Sequence, residues 1–96
     1  MLNFWQNKKV LITGDSGFKG SWLTCLLLKL GSNVTGISLK PDSSNLLYKH
    51  LSEDIEFKNF LNKNIYNHHD VDIRENQNLK NIVKEIQPDV IFHLAA

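Results

Sequence analysis

Val10-Leu11-Ile12-Thr13-Gly14-Asp15-Ser16-Gly17-Phe18-Lys19-Gly20-Ser21-Trp22-Leu23 decides the fold of this 96-residue chain. An apolar run ends at Thr13. Three glycines follow, each three residues after the last, and an apolar stretch with helical spacing begins behind them. The pattern predicts a strand, a tight turn and a helix. Such a turn gathers backbone N–H groups and the positive end of a helix dipole at one spot, which suits a pyrophosphate. Gly14 lets the chain turn sharply off the strand. Gly17 leaves room for a diphosphate to approach the backbone, and Gly20 lets the first helical turn lie close on the sheet. The spacing is Gly-x-x-Gly-x-x-Gly rather than the commoner Gly-x-Gly-x-x-Gly. The flanking strand and helix, not the glycines alone, therefore carry the nucleotide reading.

Lys8 to Thr13 reads as a strand suited to a parallel sheet covered on both faces. Phe4 and Trp5, just before it, are expected to pack beneath it. Phe18 to Leu30 reads as a helix. Trp22, Leu23, Leu26, Leu27 and Leu30 fall on one face, with Cys25 and Leu28 on a second apolar flank. Gly31 is placed to stop the helix, and Asn33 to Leu39 is a strand rich in β-branched residues. Pro41-Asp42-Ser43-Ser44-Asn45 is a loop signal, followed by a short helical pattern from Leu46 to Leu51. From Ser52 to Lys63 the pattern is mixed. Asn64 to Val71 predicts a third strand. A helix from Arg74 or Glu75 to Gln87 carries Leu79, Ile82, Val83 and Ile86 on one face and ends at Pro88. Val90 to Leu94 is the fourth strand. The order β-α-β, insert, β-α-β implies a parallel sheet with right-handed crossovers and strand order 3-2-1-4. That is the first half of a doubly wound, Rossmann-type α/β fold, with residues 1–96 as one dinucleotide-binding unit.

The bulk numbers narrow the function classes. A net charge of +1 with no basic block gives no pointer to nucleic acid. The single cysteine, Cys25, excludes an internal disulfide and reads as a buried thiol in a reducing cytoplasm. The start of the chain has neither a basic nor an apolar leader region. Leu23 to Leu30, interrupted by Thr24 and Lys29, is too short to span a bilayer. A cytoplasmic protein acting away from membranes is expected.

Thr13-Gly14-x-x-Gly17-Phe18-x-Gly20 resembles the extended short-chain dehydrogenase/reductase family, which works on nucleotide sugars. Phe4-Trp5-Gln6 and Gly17-Phe18-Lys19-Gly20-Ser21-Trp22-Leu23 look more specifically like its CDP-glucose 4,6-dehydratase branch. Most sister enzymes carry an aliphatic residue where Lys19 stands, and His or Asn where Trp22 stands. The resemblance runs from about Asn3 to Ala96, more loosely between Asp42 and Asn64. It implies NAD as cofactor, a nucleotide-sugar substrate and a homo-oligomer for the whole-length protein. It also implies diphosphate contacts from Gly14, Ser16, Gly17, Phe18, Lys19 and Gly20.

The acid that usually ends the second strand and bonds the ribose hydroxyls is missing from Ile37-Ser38-Leu39-Lys40. Lys40 either meets a 2′-phosphate, which favours NADP, or is merely solvated. The dehydratases that the chain resembles use NAD and also lack a strict acid here, so NAD is the expectation. Ser38 and Lys40 are the expected neighbours of the adenosine ribose. After the third strand, Asp72 and Ile73 match a family pair that borders the adenine; read from the residues alone, Asp72 serves equally as an N-cap. Leu94, Ala95 and Ala96 match the family's fourth-strand ending, where small residues let the cofactor lie against the strand. His93 is expected to be a packed, hydrogen-bonded core histidine. His68 and His69 point to opposite faces of a strand, which argues against a metal pair. Asp15 is a departure from the family, which often has His or a small residue there. A carboxylate near a pyrophosphate repels it unless turned to solvent, and Lys19 could offset that charge.

In the whole-length family the hydride leaves C4 of the hexose, water is lost across C5 and C6, and the hydride returns to C6. The Tyr-x-x-x-Lys pair that moves the proton does not occur in these residues: Tyr48 is followed four residues on by Ser52, and Tyr66 by Asp70. The expectation is the amino-terminal piece of a dehydratase, inactive alone, with an apolar edge at the fourth strand that invites self-association. A sister epimerase or reductase, and a non-catalytic dinucleotide-sensing module, are the other readings.

Overall fold

Four parallel strands, β1 (Lys9–Thr13), β2 (Asn33–Ser38), β3 (Tyr66–Asp70) and β4 (Val90–His93), form one sheet in the order β3-β2-β1-β4. This is the order that the alternation of elements predicts. The computed structural model describes residues 2–38, 53–63, 65–72 and 74–94. The expected loop at 41–45 and helix at 46–51 lie outside these residues. Helices α1 (Phe18–Lys29), α2 (Ile55–Asn62) and α3 (Asn76–Ile86) accompany the sheet, with a 3-10 turn at Leu2–Trp5. None of the described helices is long and apolar enough to cross a membrane.

β1 is the central strand. Val10 pairs with Val34 on one side and Val90 on the other, and Ile12 with Gly36 and Phe92. With neighbours on both edges, every residue from Val10 to Thr13 is buried, which explains its uninterrupted apolar run. Val10, Ile12, Leu27, Leu28, Val34 and Tyr66 form the core, with Trp5, Leu23, Phe60, Ile65 and Phe92 packed against it. Each fully buried Val, Leu or Ile stabilises the fold by about 1.5–3 kcal/mol relative to leaving it exposed. Trp5 sits beneath the sheet as expected, 6.0 Å from the Phe92 ring. Phe4 instead lies half exposed, edge-on to Trp5.

The buried face of α1 differs from the apolar stripe that the periodicity suggests. Gly20, Ser21, Thr24, Leu27 and Leu28 face inward, at helical spacing, whereas Trp22 and Leu26 are more than half exposed. Leu23, Cys25 and Leu30 are half-buried. The reason is close approach: the small residues at the start of α1 let it lie against the turn after β1, and the large ones cannot. The stop at Gly31 is as expected. Gly31 has φ +90°, its N–H donates to the Leu28 carbonyl, and Ser32 N–H donates to the Leu27 carbonyl. These two bonds make a complete Schellman ending.

The mixed region holds the amphipathic helix α2, whose Phe60 packs on the core. On α3, Leu79, Ile82, Val83 and Ile86 are the half-buried positions, as their spacing predicts. Gln87, predicted as the last helical residue, is instead the left-handed cap at φ 51°, with Pro88 beyond it.

Candidate functional site

The carboxyl ends of β1, β2 and β4 meet at the turn after Thr13. β2 lies to one side of β1 and β4 to the other, reached by separate crossovers. Ligands of open α/β sheets bind at such a switch point. Gly14 turns the chain at φ 84°, a conformation that L side chains rarely adopt, and its N–H donates to the Ile37 carbonyl at 2.7 Å. Gly17 then caps α1 without a side-chain hydrogen bond, and the first turn of the helix carries no acid. The leading N–H groups of a helix have no intrahelical acceptor and favour an anion.

The glycines divide by what confines them. A Cβ on Gly20 would fall 1.9 Å from the Gly14 carbonyl oxygen, so Gly20 is required by the protein's own backbone. The close contact is with the turn, rather than with the sheet as the sequence suggests. A Cβ on Gly17 would meet only that same oxygen, at an ordinary 3.4 Å, and Gly17 is exposed. Nothing among the described residues requires glycine there. An approaching ligand backbone or diphosphate would, so the turn fits the group that its sequence implies.

Other candidate residues gather around this turn. Ser16 Oγ lies 2.8 Å from Ser38 Oγ, joining the turn to the end of β2. Leu94 N–H donates to the Thr13 carbonyl, which sets the partly exposed Leu94 beside the end of β1. Val71 N–H donates to the Ser38 carbonyl, so the segment leading to Asp72 runs alongside β2. Lys19 is exposed. Lys40, Ile73, Ala95 and Ala96 lie outside the described residues, as does the Phe18 side chain.

Asp72 is neither free nor an N-cap. Its carboxylate is gripped by the Arg74 guanidinium at 2.5–3.0 Å and accepts from the Arg74 N–H at 2.9 Å. The α3 N-cap is Glu75, whose side chain does not cap. The Arg74 side-chain and backbone hydrogen bonds lower the Asp72 pKa to about 2. His93 also departs from expectation. Its Nδ1 sits 2.6 Å from Thr13 Oγ1, so the hydrogen bond is there, but the residue is exposed rather than packed in a core. β4 is an edge strand of this sheet, with no described neighbour to cover it.

Asp15 departs furthest from its expected place. Its side chain turns neither to a ligand nor to solvent: it is fully buried. It passes over β2 at Gly36, where a Cβ would lie 1.8 Å from Oδ2, and reaches β3. There Tyr66 donates its hydroxyl to Oδ2, and His68 Nδ1 lies 2.7 Å from the same oxygen. His68 Nε2 lies 2.7 Å from Asp70 Oδ1. Burial opposes the charged ring, but the hydrogen bonds and charges of Asp15 and Asp70 outweigh it and raise the His68 pKa above 6.5. Asp15 Oδ1 is buried and has no hydrogen-bond partner among the described residues. The sequence reading missed Gly36, Tyr66 and His68 as parts of the site. The one available signal was a glycine interrupting a β-branched strand, which often marks the close approach of another group.

Comparison with known proteins agrees with the fold. The chain is 37% identical to the CDP-glucose 4,6-dehydratase of Salmonella typhimurium over 98% of its own length and 24% of that protein's. An epimerase from Methanothermobacter thermautotrophicus superposes with a TM-score of 0.72 at 31% identity, covering 99% of this chain and 24% of that one. The Bordetella bronchiseptica enzyme WbmH, solved in complex with NAD+, superposes at 0.70 with 27% identity, covering 95% of this chain and 27% of its own. The chain thus spans about a quarter of the relatives it matches. Residues 11–96, nearly the whole of the sequence and all of the turn, match the GDP-mannose 4,6 dehydratase family, and the chain belongs to that family.

Proposed function

We propose that this chain is the NAD-binding amino-terminal part of a nucleotide-sugar 4,6-dehydratase that converts CDP-glucose to CDP-4-keto-6-deoxyglucose in the cytoplasm. The observation that carries the cofactor half is Gly17: an exposed helix cap that the protein's own packing does not require to be glycine, at the open end of α1. The amides that follow it would hold the diphosphate. Ser38, with Lys40 beyond it, would border the adenosine ribose. Asp72 and Ile73 would border the adenine, and Leu94, Ala95 and Ala96 would line the path across the end of β4. When bound, NAD would supply the hydride acceptor for oxidation at C4 of the hexose.

For Asp72 to accept from the adenine amino group, it must share its carboxylate with Arg74. A carboxylate has about four lone-pair sites, so it can serve both. Phe4-Trp5-Gln6, Lys19 and Trp22 support CDP-glucose over other sugar nucleotides. The substrate pocket and the proton-transfer pair would have to come from residues other than these. A second reading, a nucleotide-sugar epimerase of the same fold, is favoured by the close superposition on a solved epimerase.

Calorimetric titration of the full-length protein with NAD and NADP tests the cofactor, with tighter NAD binding expected. Incubation with CDP-glucose and, separately, GDP-mannose tests the reaction. A product lighter by one water from CDP-glucose supports the proposal. An isomer of unchanged mass supports the epimerase, and turnover of GDP-mannose alone corrects the substrate.

A further inference from the structure

The cluster of Asp15, Tyr66, His68 and Asp70, which runs from the buried turn to the exposed end of β3, has no role in the proposed chemistry. We infer that His68, doubly protonated between Asp15 and Asp70, neutralises the Asp15 carboxylate inside the turn and thereby tunes dinucleotide binding to pH. This inference rests on the proposed binding of NAD at the turn.

Both ring nitrogens of His68 lie 2.7 Å from carboxylate oxygens, Nδ1 from Asp15 Oδ2 and Nε2 from Asp70 Oδ1. Ionised carboxylates only accept. Two such bonds on one ring require both nitrogens to carry a proton, so the arrangement selects the imidazolium. The Asp15 side chain is fully buried, so water does not screen it, and among the described residues Oδ1 has no hydrogen-bond partner. The Tyr66 hydroxyl shares Oδ2 but brings no positive charge. Asp15 follows directly on Gly14, the residue that turns the chain, and a diphosphate there meets whatever net charge the turn carries.

Among the described residues, none adds a second positive charge to the cluster. β2 lies between the turn and β3 and carries no titratable side chain from Asn33 to Ser38. On β3, Tyr66 and Asp70 share the face of His68, while His69 points the other way. α2, packed at β3, carries Glu56 and Lys58, both exposed, and Lys19 of α1 is exposed as well. Arg74 is engaged with Asp72. Among the described residues, loss of the His68 proton therefore leaves a buried carboxylate uncompensated beside the anion site. His68 is a positioning residue: it acts on the cofactor through Asp15. Linkage is reciprocal, so a diphosphate that prefers the imidazolium form must raise the His68 pKa when it binds.

The test is NAD affinity of the full-length protein from pH 6 to pH 9, with the His68 ring proton followed by NMR with and without NAD. The expected result is a Kd that rises by about 5-fold or more across that range, the lower end of ordinary coupling. The His68 titration should move to higher pH on adding NAD. His68→Asn keeps a neutral donor toward Asp15 and should bind weakly and without pH dependence. Asp15→Asn should bind well at high pH, where the wild type does not. A pH-independent Kd in the wild type, or a His68 titration that NAD does not move, overturns the inference while leaving NAD binding intact. No NAD binding at any pH overturns the dinucleotide reading and this inference with it. If either variant fails to fold, the wild-type NMR titration alone decides the matter.

Discussion

Gly36 and Asp15 occupy complementary space: a Cβ on the strand residue would fall 1.8 Å from the Oδ2 of the buried acid. The carboxylate cannot yield, because Tyr66 and His68 hold that oxygen. Gly36→Ala is therefore expected to destabilise the protein by about 2–3 kcal/mol, the upper range for overpacking. Asp15→Ala removes the obstacle, so the double variant should be more stable than the sum of the two single effects. Urea denaturation of the four proteins checks this; strict additivity would show that the two residues do not compete for space.

Gly17 and Gly20 should separate folding from binding. Gly20→Ala drives a methyl group against the Gly14 carbonyl and should cost about 2–3 kcal/mol of stability. Gly17→Ala meets no close atom and should change stability by no more than about 1 kcal/mol. It should nonetheless weaken NAD binding by roughly 10-fold or more, because the added methyl stands where the diphosphate approaches. Thermal denaturation beside NAD titration reads both quantities. Unchanged NAD affinity in folded Gly17→Ala would remove the observation on which the proposed cofactor site rests.

Two groups should give stability opposite pH trends. His68 has a raised pKa in the folded state, so its contribution is fully present below pH 6.5 and is lost as pH rises through the folded value. Asp72 is depressed from 3.8 to about 2, so its contribution is present above pH 3.8 and is lost as pH falls through about 2. Melting temperatures of His68→Asn should approach those of the wild type on the alkaline side and fall below them near pH 6. Arg74→Ala should return the Asp72 carboxyl toward 3.8, visible as a shifted carbon resonance in an NMR titration.

The 96-residue chain by itself is expected to give no turnover of CDP-glucose, since no Tyr-x-x-x-Lys occurs in it. It is also expected to self-associate through β4, an edge with no described neighbour where Ile91 is 53% and the following Leu94 41% exposed. Ile91→Lys should shift the species toward monomer in light scattering. A wild-type monomer at high concentration would argue against the edge as a point of contact.

The strand order and the stop at Gly31 were legible because each depends on local pattern. Val10 to Thr13 is apolar throughout because it is central, and Gly31 stands where a left-handed residue must follow a helix. The inner face of α1 was not legible. Periodicity weighs Trp22 and Leu26 above Ser21 and Thr24, yet the close approach at Gly20 admits only small side chains. Asp15 was misread for a different reason: its partners Tyr66 and His68 lie 51 and 53 residues away. No local rule joins them, and only the sheet order brings β3 within reach.

Pairing β1 with β4 joins Thr13 to His93 across 80 residues of chain. The β1–β2 pair closes over a far shorter loop, and contacts between distant residues form slowly because the intervening chain must first be ordered. During synthesis, one flank of the central strand therefore has no mate until the last of these residues has left the ribosome. That bare flank presents unpaired backbone N–H and C=O groups between the apolar faces of Val10, Leu11 and Ile12, so shielding the nascent chain at this stage is a demand written into the topology itself.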